Sequence, residues 1–299
     1  MLADRINGKS CPFSSDIDKQ MELGFNTLEI QLFDNQLESR ENTLRLVDNC
    51  KKDGLDIKSI HSPLSKVVYS HLIENIDLDV EMYKNLFLFI DGIQKYFGHK
   101  MPVVFHTELR PTVDYSSTYK YLRDTMEKLV YMYPDITYTI ENSCPIDKAK
   151  GFVNGALFEN VRLCEMLRRD ISKDHFNTTL DICHALAAVR LLKVLYVHDY
   201  TYNGRYIYME DFVKENSETC NNIHFNWLTD FGFRGGEHGT IVDKDDKELA
   251  EVIGYINKYL SKDAKFTIEV LEKDYQNPKN CVILREALYY VENKLGISL

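Results

Sequence analysis

The chain has 299 residues, 44% of them hydrophobic and 27% charged, with a formal net charge of −10. That length suits one α/β barrel and supplies an ample core. The acidic balance disfavours a dedicated nucleic-acid surface, which needs rows of Lys and Arg facing phosphates.

In chain order, the opening segment is weak, and a first strand around residues 2–8 would be short or irregular because "MLADRING" carries little apolar sequence. Clearer strand candidates follow: "FNTLEIQLF" (25–33), "LDIKSIHSP" (55–63), "PVVFHTEL" (102–109), "ITYTIENS" (136–143), "NTTLDICHA" (177–185), "NIHFNWL" (222–228) and "KFTIEVLE" (265–272). Helical periodicity fills most gaps, as in "DVEMYKNLFLFIDGIQKYFG" (79–98) and "DKELAEVIGYINKYL" (246–260). Strand then helix, repeated, predicts parallel strands with helices outside. Eight units make a single (β/α)8 TIM barrel over residues 1–299, with an open doubly wound sheet as the rival. No Gly-rich loop follows any strand, so no nucleotide cofactor is expected. The Tyr-rich segment 194–212 is expected to bend over the barrel mouth. Seven cysteines lie scattered without CxxC spacing. With no signal core and no membrane-length apolar run, they read as reduced thiols of a cytoplasmic protein.

"TTLDICHALAA" (178–188) places Asp181 and His184 inside an apolar run. An unpartnered buried carboxylate costs several kcal/mol, roughly, so something must compensate. The other strand candidates repeat the theme, each carrying late in its length a residue able to bind metal: His61, His106, Glu141, His224 and Glu269, with His238 in the loop after the His224 strand. In a parallel barrel every C-terminal strand end opens onto one mouth, so these residues converge. Imidazole with carboxylate suits a divalent zinc, manganese, cobalt or iron ion. Singly, each has an ordinary explanation. Glu141 could cap a helix, Asp181 could accept backbone N–H bonds, and a lone His is usually a satisfied residue.

In order and spacing, "SIHSPL", "VVFH", "IEN", "LDICHALAA", "IHFN" and "TIEV" resemble the xylose isomerase-like barrels. That superfamily includes sugar and sugar-phosphate isomerases and epimerases, inosose-processing enzymes and endonuclease IV. The "LDxCHA" match is especially close to endonuclease IV. The resemblance implies a metal held by Glu141, Asp181, His224 and Glu269. In the three-metal endonuclease, further ligands match His61, His106, His184 and His238. Its last motif also carries an Asp where this chain has Gly236; Glu237 is displaced by one, and Glu237 or Asp230 could substitute. At most two tightly bound metals are therefore expected.

Two activities follow from the resemblance. In the first, Glu141 and Glu269 exchange a proton with the carbon beside a metal-polarised carbonyl of a small-molecule carbohydrate or cyclic polyol, and His184, His238 and Arg234 hold substrate oxygens or a phosphate. His61 and His106 then line the pocket or hold a second metal. In the second, two or three metals clamp a phosphodiester of abasic DNA. A third reading is a metal-binding barrel without turnover. The acidic charge, and a loop after "HSP" with few basic residues, favour the isomerase or epimerase. No membrane partner is expected, and a homo-oligomer is compatible with the sequence.

Overall fold

The computed structural model describes residues 5–11, 14–33, 40–62, 76–106, 115–143, 146–147, 151–152, 159–196, 207–228, 238–274 and 277–297. Eight parallel strands close into a barrel: β1 (Ile6–Ser10), β2 (Thr27–Gln31), β3 (Asp56–His61), β4 (Pro102–His106), β5 (Thr137–Glu141), then β8 (Phe176–Asp181), β9 (Cys220–Phe225) and β12 (Lys265–Ile268), which neighbours β1. Two short antiparallel pairs interrupt the βα repeat: β6 (Ile146–Asp147) with β7 (Gly151–Phe152), and β10 (Trp227–Leu228) with β11 (His238–Thr240). Among the described residues there are nine helices: α1 (Ser14–Glu22), α2 (Arg40–Lys52), α3 (Ile76–Phe97), α4 (Tyr115–Met132), α5 (Glu159–Asp170), α6 (Ile182–Tyr196), α7 (Met209–Glu215), α8 (Lys247–Tyr259) and α9 (Asn280–Leu295).

Four strand expectations need correction. The first strand, expected around 2–8, lies slightly later, at 6–10, because "INGKS" turns Asn7 and Lys9 to the opposite face from Gly8 and shows no apolar alternation. The strand expected over 177–185 stops at Asp181, and α6 starts at Ile182. "LDICHALAA" is apolar throughout, so its period does not mark where strand becomes helix. The strands expected over 222–228 and 265–272 end at Phe225 and Ile268, and Glu269 lies one residue beyond β12. A backbone bond still ties it to the sheet, because Glu269 N–H donates to the Phe225 carbonyl at 3.2 Å. Of the Tyr-rich segment, residues 197–206 lie outside the described residues; Met209–Glu215 is helical.

The chain packs as two compact units. In Asn7–Glu141 with Arg162–Asn177, an aromatic core joins helix to strands. Phe87 of α3 meets Phe105 and Tyr138, and Tyr138 stacks on Phe176 at 5.5 Å. Each such buried ring contributes about 1.5–3 kcal/mol. In Met1–Ile6 with Asn142–Val161 and Thr178–Leu299, the Arg5 guanidinium lies over the Phe266 ring and donates through Nε to the Ala264 carbonyl at 2.8 Å. Asp246 caps α8 by accepting from the Glu248 and Leu249 amides. Glu272 serves α9 from a distance, accepting from the amides of Lys279, Asn280 and Cys281.

Candidate metal centre

Asp181 ends β8 and opens α6 with no loop between them. One carboxylate oxygen, Oδ1, accepts from the His184 backbone N–H at 2.7 Å, the N-cap bond of the helix. The other, Oδ2, accepts from Asn226 Nδ2 at 2.8 Å. Asn226 is held in turn, since its Oδ1 accepts from the Cys183 N–H at 2.9 Å. Asn142 brackets the Asp181 backbone: its Oδ1 accepts from the Asp181 N–H at 2.7 Å and its Nδ2 donates to the Asp181 carbonyl at 3.0 Å. These bonds offset the burial of the carboxylate, and each oxygen keeps a lone pair for another partner.

His184 stands in the first turn of α6, where its Nδ1 meets the Asn142 carbonyl at 2.7 Å. A carbonyl only accepts, so Nδ1 carries a proton and donates it there, which fixes the orientation of the ring. His61, at the end of β3, repeats this device. Its Nδ1 donates to the Ser62 carbonyl at 2.8 Å, which Gln31 Nε2 also contacts at 3.2 Å. The Nε2 of His61 then lies 3.4 Å from Glu141 Oε2. Fixing one imidazole nitrogen to a carbonyl while the other faces a carboxylate is how proteins orient a metal-binding histidine.

His224, fully buried on β9, has its Nδ1 2.7 Å from Glu269 Oε2. Glu141, Asp181, His224 and Glu269 each offer a ligand atom, and these atoms lie within 4.8 Å of one another; His61, Glu141 and His224 form a second such set. At that distance two carboxylates repel by about 3–4 kcal/mol at an effective dielectric near 20. Three carboxylates beside one imidazole therefore fit a dication, whose charge reverses the sign of every such pair.

Of the other sequence candidates, His106 ends β4 in register with Glu141, and His238 begins β11. The side chains of both lie outside the described residues, as do Asp230, Arg234, Gly236 and Glu237. Sequence reasoning missed Asn142 and Asn226. A signal for them existed, because "IEN" and "IHFN" each place an asparagine one or two residues after a ligand candidate.

No family model and no curated protein matches the sequence. Solved structures do match over almost the whole chain. A xylose isomerase domain protein from Planctomyces limnophilus is 13% identical with a TM-score of 0.63, covering 98% of this chain and 98% of its own. The chain has the xylose isomerase-like fold. A D-allulose 3-epimerase from Methylomonas sp. matches at 11% identity and TM-score 0.61, over 97% of this chain and 98% of that one. An AP endonuclease, family 2, from Brucella melitensis matches at 12% and 0.58, over 96% and 98%. At these identities the likeness concerns the fold, and sugar epimerases and an endonuclease share it. No helix among the described residues is long and apolar enough to cross a membrane.

Proposed function

We propose that this chain is a metal-dependent isomerase or epimerase of a small carbohydrate or cyclic polyol, acting as one barrel domain over residues 1–299. The observation that carries the reading is the grouping of Glu141, Asp181, His224 and Glu269 within 4.8 Å. These four would hold a divalent zinc, manganese, cobalt or iron ion. When bound, such an ion polarises a carbonyl and offsets the negative charge that develops on its oxygen. Glu269, one residue past β12 with a quarter of its side chain exposed, takes the proton from the carbon beside the carbonyl. Glu141, sealed at the end of β5, enters the turnover protonated and gives that proton to the substrate, so the two carboxyls exchange protonation states. Asp181 cannot share this work easily, since both its oxygens already accept hydrogen bonds. His184 presents Nε2 to a substrate oxygen, and we assign His106, His238 and Arg234 to the same substrate-holding group.

One observation favours a second reading. His61 Nε2 stands beside Glu141 Oε2, so Glu141 could bridge two ions, as a phosphodiesterase would require. The two readings separate in a single assay. Purified protein loaded with manganese or zinc is given ketoses and inososes in deuterated water, and in parallel an abasic-site duplex. Deuterium entering the carbon next to the carbonyl, without incision, supports the isomerase or epimerase. Incision at low enzyme concentration with no exchange into any sugar overturns it.

A further inference from the structure

Gln31 closes β2 and stands in register with His61, the last residue of β3. Paired residues of neighbouring strands present their side chains to the same face, so the Gln31 carboxamide lies on the face where His61 Nε2 meets Glu141. Its nitrogen is fully engaged. Nε2 donates to the Leu32 carbonyl at 3.0 Å and to the Ser62 carbonyl at 3.2 Å. The Ser62 carbonyl also accepts from His61 Nδ1 at 2.8 Å, so carboxamide and imidazole share one anchor. A carbonyl only accepts, and a carboxamide nitrogen has two hydrogens. Both hydrogens are therefore directed at the backbone, and the amide is fixed with Oε1 turned the other way.

Gln31 is 7% exposed. Its Oε1 accepts no hydrogen bond among the described residues and is not sealed from solvent. If the residue served only to tie the ends of β2 and β3, a side chain with donors alone would do as well, and no acceptor would be carried to the face that holds His61. An unpaired carbonyl oxygen in so buried a residue costs about 1–3 kcal/mol. A hydroxyl brought by a ligand removes that cost, because O–H is the donor that a neutral acceptor suits.

We propose that Gln31 determines specificity, its Oε1 accepting a hydrogen bond from a free hydroxyl of the polyhydroxyl substrate. This deepens the carbohydrate reading above and rests on it. The chemistry narrows what can stand at this position. An acceptor has nothing to offer a ketone, an ether or a dianionic phosphate, whose oxygens carry no hydrogen. A sugar that is phosphorylated or deoxygenated at the carbon facing Gln31 leaves Oε1 unpaired once bound, and the site discriminates against it. Held by two backbone carbonyls, the acceptor needs no reordering when the substrate arrives.

The test is calorimetric titration of the full-length, manganese-loaded protein with D-fructose, D-tagatose and scyllo-inosose, then with the mono-deoxy analogues of whichever binds most tightly. Gln31→Met, similar in length and without an acceptor, should weaken binding of the parent sugar about three- to tenfold, the size of a neutral hydrogen bond. One deoxy analogue, lacking the hydroxyl that Oε1 accepts, should bind both proteins equally, while every other analogue loses the same factor as the parent. Manganese stoichiometry should not change. If Gln31→Met fails to fold because two carbonyls lose their donor, Gln31→Lys keeps donors for both, has no acceptor and should give the same pattern. Parent affinity within about twofold of wild type, or an equal loss for every analogue, overturns the assignment and leaves the functional reading standing. A wild type that binds none of the three sugars overturns both.

Discussion

The end of β8 and the end of β12 each supply one carboxylate to the candidate metal centre, and they hold it in opposite ways. At β8 the strand passes straight into α6, and Asp181 is fixed by bonds to both carboxylate oxygens and to its own backbone N–H and C=O. At β12 the strand has already ended. Glu269 is tied by a backbone bond to Phe225 and a 2.7 Å contact with His224, with a quarter of its side chain in the open. A ligand whose purpose is to hold an ion gains from immobility, because each fixed rotamer is ordering that binding need not supply. A group that moves a proton needs reach towards substrate and access to solvent. Holding is thus assigned to β8 and proton transfer to β12.

The sharpest way to break this contrast is to alter the two carboxylates separately. Glu269→Gln keeps the shape and one oxygen ligand but removes the base. Turnover should fall about 10²–10⁴-fold, with metal affinity changed less than about tenfold. Asp181→Ala should weaken metal binding by more than about a hundredfold and should also cost about 1 kcal/mol through loss of the α6 cap. Chelator competition and urea unfolding measure these effects. If Glu269→Gln strips the ion as thoroughly as Asp181→Ala, the division of labour is wrong.

The partners of Asp181 offer a smaller effect of the same kind. Asn226→Ala removes the donor to Oδ2 and leaves the Cys183 N–H without its acceptor. Metal affinity should drop about 10–100-fold, and stability by about 1–3 kcal/mol. The side-chain bonds of Asn226 go to Cys183 and Asp181 rather than to β12, so the pH profile of turnover should keep its shape. A displaced acidic limb in that profile would show that Asn226 also governs Glu269 and that the two strand ends are not independent.

How much of this was legible beforehand depends on what each residue faces. His61, Glu141 and Asp181 end their strands, and each falls late in a strand candidate recognisable in the sequence. The first strand was misplaced for the opposite reason: Asn7 and Lys9 present polar groups to the interior where apolar residues are expected. The start of α6 was hidden because Ile182, Cys183, Ala185 and Leu186 are buried on every side, so the apolar pattern continues unchanged from strand to helix. Asn142 and Asn226 escaped notice because an asparagine beside a ligand usually signals a turn. Their work lies in bonds to residues about forty positions away, which no local pattern encodes.

The smallest expected effect concerns β9, the strand between β8 and β12 in the barrel. Its His224 reaches the candidate metal centre, while Cys220 starts the strand and is buried, with its thiol donating to the Asn222 carbonyl at 3.1 Å. Burial pushes this thiol up to about 12, from about 8.5 in an unfolded chain. Below the unfolded value both states carry the proton, so Cys220 adds no pH dependence. Between the two values the unfolded chain releases a proton that the folded chain keeps, and stability falls as pH rises. Urea midpoints of wild type and Cys220→Ala should therefore run parallel from pH 7 to pH 8, separated by a constant packing offset. Towards pH 11 the wild type should fall more steeply, so that the two curves converge. Adding manganese should raise both curves by the same amount, because the ion acts at the other end of the strand. Curves that stay parallel to pH 11 would mean that Cys220 does not resist ionisation. A manganese increment that differs between the two proteins would mean that the start of β9 and the metal centre are coupled, and the contrast between neighbouring strand ends would then have to include the strand that joins them.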